Sequence, residues 1–126
     1  MDSPNFKLEK IGVIMLDVTE LARSVAFYRD RLGLTLQQQF ESFAFFNGGG
    51  VTLLLRQTSP QTRSGVPGAT EVVFSVEGVR EAHEALKGKG VAFTLEPRVV
   101  SGPMWAANFN DPDGHRLSVF GPERKA

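Results

Sequence analysis

The stretch that decides the fold is Trp105-Ala106-Ala107-Asn108-Phe109-Asn110-Asp111-Pro112-Asp113-Gly114-His115-Arg116-Leu117-Ser118-Val119-Phe120. It reads as an apolar strand, a tight turn at Asp111-Pro112-Asp113-Gly114 and a second apolar strand. An earlier stretch has the same layout: Phe43-Ala44-Phe45-Phe46, the turn Asn47-Gly48-Gly49-Gly50, and the strand Val51 to Leu55. Each hairpin is preceded, at a similar distance, by a short apolar strand, an amphipathic helix and a glycine. These are Gly12 to Gly33 in the first case and Thr70 to Gly90 in the second. One unit has been used twice, with a period too long for a solenoid built from single pairs. Function is expected where the two units meet.

In the first unit, Ile11 to Val18 is a continuous apolar run closed by Thr19, which is expected to cap the following helix. Leu21, Val25, Tyr28 and Leu32 recur at helical spacing, and Gly33 sits where a left-handed C-cap belongs. Leu34 to Phe40 reads as a half-polar strand before the hairpin. Gln57 to Ala69 carries Ser, Thr, Gly and Pro without periodicity and reads as a linker. The second unit opens with the strand Glu71 to Val76. Val79, Ala82 and Leu86 mark its helix, Gly88 and Gly90 end it, and Val91 to Leu95 is the next strand. Glu96 to Met104, with Pro97, Gly102 and Pro103, is longer than its counterpart and is expected to be a mobile lip of a site. The organisation is then one domain over 1–126, with module one at about 8–57, a linker at 58–69 and module two at about 70–121.

A length of 126 residues leaves room for a real core. Fourteen basic and fourteen acidic side chains cancel, so the electrostatic footprint of a nucleic-acid binder is absent. With no cysteine there is no disulfide, no thiolate metal site and no thiol nucleophile. No apolar run approaches the roughly 20 residues that span a bilayer, and Met1 to Lys10 is polar, unlike a signal peptide. The expected location is cytoplasmic, with no membrane partner.

Strand alternation assigns faces, because side chains two apart share one. One parity is wholly apolar: Ile14, Leu16 and Val18; Leu53 and Leu55; Val72, Phe74 and Val76; Leu117 and Val119. That parity is expected to pack under the helices. The other is mixed: Val13, Met15 and Asp17; Thr52, Leu54 and Arg56; Glu71, Val73 and Ser75; Arg116, Ser118 and Phe120. Apolar side chains interspersed with Arg and Glu suit an amphiphilic small molecule, and equally describe a wet outer sheet face.

Two segments carry a family resemblance: Asp17-Val18-Thr19-Glu20-Leu21 through Phe27-Tyr28-Arg29-Asp30-Arg31-Leu32-Gly33-Leu34, and Phe109-Asn110-Asp111-Pro112-Asp113-Gly114-His115. Together they resemble the vicinal oxygen chelate superfamily, the glyoxalase, bleomycin-resistance and extradiol dioxygenase fold, over residues 11 to 120. The resemblance implies an α+β fold of two βαβββ modules whose curved mixed sheets form a cup, commonly completed in a homodimer. The mixed parity then becomes the lining of that cup. In metal-dependent branches the ligands come from the first and last strands of each module, which here implies Val13, Leu54, Glu71 and Ser118. Only Glu71 among them is a good ligand for a divalent metal, because Val and Leu offer no donor atom.

The expected cofactor is therefore none, with a divalent metal as the alternative. The expected ligand-binding residues are Met15, Phe43, Phe45, Leu54, Arg56, Glu71, Trp105, Arg116, Ser118 and Phe120, with Trp105 and the phenylalanines as stacking surface. Glu71 is the one candidate general base, since desolvation raises a carboxyl pKa toward working pH; an ion pair with Arg56 or Arg116 is the competing reading. His83 is expected at the helix surface, and His115 by parity points away from the cup. Asp111 to Gly114 lacks the spacing and the closing Glu of a calcium loop. Gly48 to Gly50 lacks the Lys of a phosphate loop. Two functions stand: a metal-free binder of a small aromatic or amphiphilic molecule, and a lyase, isomerase or dioxygenase using a metal or Glu71.

Overall fold

The computed structural model describes residues 7–8, 10–59 and 70–126. The chain is α+β, and among the described residues its strands and α-helices are, in order, β1 (Val13–Val18), α1 (Leu21–Ala26), β2 (Leu36–Gln39), β3 (Phe43–Asn47), β4 (Thr52–Gln57), β5 (Glu71–Ser75), α2 (Val79–Gly88), β6 (Phe93–Ser101), β7 (Met104–Asn110) and β8 (Arg116–Pro122). They form two four-stranded sheets, ordered β1-β4-β3-β2 and β5-β8-β7-β6. In each, the first strand runs parallel to the last, and the remaining pairs are antiparallel. The repeated sequence layout is thus a repeated βαβββ topology. Of the linker expected at 58–69, all but the first two residues lie outside the described residues.

One face of each sheet packs under its helix. Leu16, Val18, Leu53 and Leu55 of the first sheet and Ala107, Phe109, Leu117 and Val119 of the second are buried, together with Ala44 and Phe46. They join Leu21, Val25, Phe27, Tyr28, Val79 and Val91 in one hydrophobic cluster that spans both modules. Burying a side chain such as Leu55 or Phe109 contributes about 1.5–3 kcal/mol, so this shared layer is what binds the modules into one unit. The second sheet is also packed edge to edge without clearance. At Gly121 of β8 any Cβ would run into the carbonyl of Val76, the residue that follows β5.

Thr19 does not cap α1. The N-cap is Glu20, without a side-chain cap bond, and the Leu21 N–H donates instead to Gln57 Oε1 at 2.7 Å, an acceptor supplied by β4. Thr19 is drawn to the other module: its N–H and its hydroxyl both donate to Asp113 Oδ1, at 3.1 and 2.6 Å. The charged tertiary acceptor outcompetes the local cap. After Ala26 the helix widens into a π-helical turn, Phe27–Arg31, closed by Leu32 N–H to Phe27 C=O at 3.0 Å and ended by Gly33 with φ of 81°.

Glu96 to Met104 is not a lip. Most of it belongs to the nine-residue strand β6, paired with β7, and Ser101 faces Met104 across a tight turn. The register shifts between Leu95 and Arg98, around Pro97. An edge strand tolerates a proline there because the missing N–H has no ladder partner to satisfy. The proline and glycine content that reads as a loop is therefore an edge strand with bulges.

The second hairpin turn is the clamp between modules. Gly114 N–H closes it onto the Asp111 carbonyl at 2.9 Å, and Gly114 has the positive φ of 88° that its place requires. The buried Asp111 carboxylate accepts Tyr28 Oη–H at 2.8 Å and the N–H groups of Asp113 and His115 at 2.9 and 2.8 Å. Asp113 holds Thr19 and, at 3.4 Å, the Ser24 hydroxyl. His115 Nε2 lies 2.6 Å from the Asp17 carbonyl.

Candidate functional site

Because both helix-side faces enter one core, the opposite, open face of each sheet looks outward. On the first sheet it carries Val13, Met15 and Asp17 of β1, Thr52, Leu54 and Arg56 of β4, and Phe43 and Phe45 of β3. Met15 stands opposite Leu54, and Leu54 opposite Phe45. On the second it carries Glu71, Val73 and Ser75 of β5, Arg116, Ser118 and Phe120 of β8, and Ala106 and Asn108 of β7. Val13, Met15 and Val73 are 51%, 46% and 51% exposed, far more than strand valines and methionines in a covered sheet. The two faces lie on separate sheets, so the residues anticipated as one cup lining fall on two separate faces.

Trp105 lies on neither open face. It faces the helix side, packs against the core, and lies under the Arg80 guanidinium, which sits 4.7 Å from the ring centre. The alternation of β7 explains this: Trp105, Ala107 and Phe109 share one face, Ala106 and Asn108 the other. His83 is likewise not a surface residue. Its side chain is only 12% exposed, with Nε2 3.2 Å from Glu96 Oε1 and its ring 4.5 Å from that of Phe93.

Opposite charges meet across neighbouring strands on both open faces. Arg56 grips Asp17 with two hydrogen bonds, Nε to Oδ1 at 2.9 Å and Nη2 to Oδ2 at 3.1 Å. On the second sheet, Arg116 Nη2 donates to Glu71 Oε1 at 3.0 Å, and Asn108 Nδ2 donates to Glu71 Oε2 at 3.3 Å. Asn108 Oδ1 is buried and has no hydrogen-bond partner among the described residues. Three residues of the open faces escaped the sequence reading: Asn108, Arg98 of β6, which faces Ala106, and Phe40, whose ring stacks edge-on to Phe45 at 6.0 Å. An Asn between the apolar Ala107 and Phe109 was the available signal for Asn108. Arg98 had none, because the bulge at Pro97 resets the parity.

The divalent metal implied by the family resemblance does not fit these positions. Val13 and Leu54 carry no donor, Ser118 offers a neutral hydroxyl, and the Glu71 carboxylate is already engaged by a guanidinium and an amide. Replacing such partners with a dication places it beside the Arg116 charge, which opposes binding. Among the described residues, no three His, Asp or Glu side chains are grouped so as to hold a metal ion.

Two clefts lie at the module junction, on the helix side. One, of about 240 Å³, is lined by apolar side chains including Leu34, Phe74 and Leu86; the wider, of about 580 Å³, lies between Arg23, Phe27 and Arg31 on one wall and Val91 and Pro112 on the other. On the open face of the second sheet, Ala106, Asn108 and Ser118 are buried between their neighbours. No helix among the described residues is long and apolar enough to cross a membrane.

The two-module topology and the paired open faces define a class, and the sequence matches it. Residues 10–119 fit the Glyoxalase/Bleomycin resistance protein/Dioxygenase superfamily, and the chain belongs to that family. It is 33% identical over 116 residues to the metallothiol transferase FosB of Staphylococcus haemolyticus, covering 89% of this chain and 83% of that protein. It is 28% identical over 119 residues to the glutathione transferase FosA of Serratia marcescens, covering 89% and 80%. A glyoxalase/bleomycin resistance protein/dioxygenase from Nocardioides shares the fold with a TM-score of 0.79 and 25% identity, over 95% of this chain and 87% of that one.

Proposed function

We propose that this protein binds a small aromatic or amphiphilic molecule on its open sheet faces without a metal, and that a second copy completes the site. The observation that carries the reading is the composition of those faces. Half-exposed Val13, Met15 and Val73 lie beside aromatic Phe43, Phe45 and Phe120, while the ligand positions of metal-dependent relatives hold Val13, Leu54 and Ser118. Apolar surface of this kind is normally covered by a partner or a ligand. A symmetric homodimer that lays the first sheet of one copy over the second sheet of the other would turn two half-sites into a lined pocket. Met15, Leu54, Phe43 and Phe45 would then supply the apolar wall, and Glu71, Arg116 and Ser118 the polar one.

A second reading is favoured by the relatives named as thiol transferases: transfer of a thiol to a small molecule, with Glu71 as metal ligand or base. The hydrogen bonds that tie Glu71 to Arg116 and Asn108 weigh against it.

The test is a thermal-shift screen of small aromatic compounds in the presence of EDTA, with sedimentation in parallel. A compound that stabilises the wild type and loses its effect in Leu54→Glu supports the reading, as does a dimer at tens of micromolar. One divalent metal per chain by elemental analysis, lost in Glu71→Ala, would replace it with the transferase.

A further inference from the structure

We propose that Arg98, with Phe120 beside it, selects an aromatic anion as the ligand of the open-face site; this rests on the binding function just proposed. Arg56 and Arg116 are the arginines that strand parity brings forward, but each is already neutralised, by Asp17 at 2.8 Å and by Glu71 at 3.0 Å. Arg98 differs. It stands on β6 opposite Ala106, and its Nη1 donates to the Ala106 carbonyl at 3.2 Å. Among the described residues it has no carboxylate partner. Glu96, the nearest acid on its own strand, is turned to the helix side, where it meets His83. Among the described residues, Arg98 therefore adds a positive charge to the open face of the second sheet that no carboxylate meets.

The row in which Arg98 stands gives the excess charge a shape. Arg98 faces Ala106, Ala106 faces Phe120, and Phe120 faces Ser75 across β6, β7, β8 and β5. Adjacent strands are about 4.8 Å apart, so Arg98 and Phe120 are separated by two strand spacings with only a methyl group between them. An aryl ring laid over Ala106 and against Phe120 places an acidic substituent within reach of the guanidinium. A half-buried guanidinium with most of its N–H groups unspent matches a carboxylate or similar oxyanion in a forked contact. Ala106 is thus the residue that keeps the floor low, and Phe120 the ring that stacks.

The experiment uses a matched pair of probes, 1-naphthoate and 1-naphthamide, titrated calorimetrically into the intact protein at low salt. The expected result is binding of both, with naphthoate at least about tenfold tighter. Arg98→Met should abolish that preference, Arg98→Lys should restore part of it, and Ala106→Leu should weaken both probes. Arg80→Met, which removes a guanidinium on the helix side that pairs with Glu123, should leave the preference intact. Equal affinity of the wild type for the two probes, or a preference that survives Arg98→Met, would overturn the role of Arg98 and leave the binding function standing. Failure of both probes to bind the wild type would overturn that function and this inference together. If Arg98→Met fails to fold, Arg98→Gln carries the same comparison.

Discussion

The two hairpin turns occupy the same place in the repeated unit and do different things. In the first module, Asn47 Oδ1 accepts the N–H of Gly49 at 2.9 Å and the turn stays exposed. In the second, Asp111 is buried and its carboxylate takes a hydroxyl from the other module, while Asp113 holds that module's Thr19 and Ser24. Duplication explains the common topology, but the junction is asymmetric. The second turn has been recruited to fix how the modules dock, and the first has been left as a local reversal. The difference teaches that a repeated motif keeps its geometry at low cost, while its side chains are free to specialise according to what lies opposite.

The largest effect that tests this contrast is at the turns themselves. Asp111→Ala leaves the buried Tyr28 hydroxyl and two N–H groups without their acceptor, and should cost about 3 kcal/mol or more in denaturant unfolding. Asn47→Ala, at an exposed turn, should cost under about 1 kcal/mol. Equal losses would show that the second turn is no clamp.

Tyr28→Phe sharpens the comparison next, with an expected loss of about 1–1.5 kcal/mol near neutral pH. It also carries a pH signature. Burial, then the charge and hydrogen bond of Asp111, then the charge of Asp113 hold the Tyr28 hydroxyl far above its ordinary value of 10.0. A raised folded-state pKa means that the contribution is complete below pH 10 and is lost as pH rises beyond it, because the unfolded chain ionises and the folded one does not. The slope should be about 1.4 kcal/mol per pH unit from this one proton, and Tyr28→Phe should remove it from the alkaline unfolding curve.

Arg80 covers Trp105 and pairs with Glu123 at 2.6 Å. Arg80→Ala should cost about 0.5–1 kcal/mol from the lost cation–ring contact, with ligand affinity unaffected, since that ring faces away from the open side. A Trp105→Phe protein with tenfold weaker ligand binding would break this assignment. Smallest of all, Asp17→Asn and Glu71→Gln, at half-exposed ion pairs, should each shift stability by less than about 1 kcal/mol, measurable as a change of a few degrees in Tm at most.

Much of this architecture was legible in the residues alone. The doubled strand–helix–hairpin layout led to two βαβββ modules, and the wholly apolar parity of Ile14 to Val18, Leu53 to Leu55 and Leu117 to Val119 marked the helix-side face. Both signals are local, because turn chemistry and side-chain alternation act within a few residues. The poverty of metal donors at Val13, Leu54 and Ser118 is also a statement about residue identity and needs no coordinates.

Only the tertiary structure decided which groups meet across the sequence. Nothing in the local pattern says that Gln57 caps α1 in place of Thr19, that Asp113 reaches Thr19, or that Glu71 is spent on Arg116 and Asn108. Trp105 was misplaced because an aromatic next to a Pro- and Gly-rich stretch reads as a site, whereas its face is set by the register of β7 against β8. Arg98 was missed for the related reason that the bulge at Pro97 resets alternation along β6. Residue types determine what each element can bury or bond. Register and docking determine with whom, because those energies arise between segments tens of residues apart.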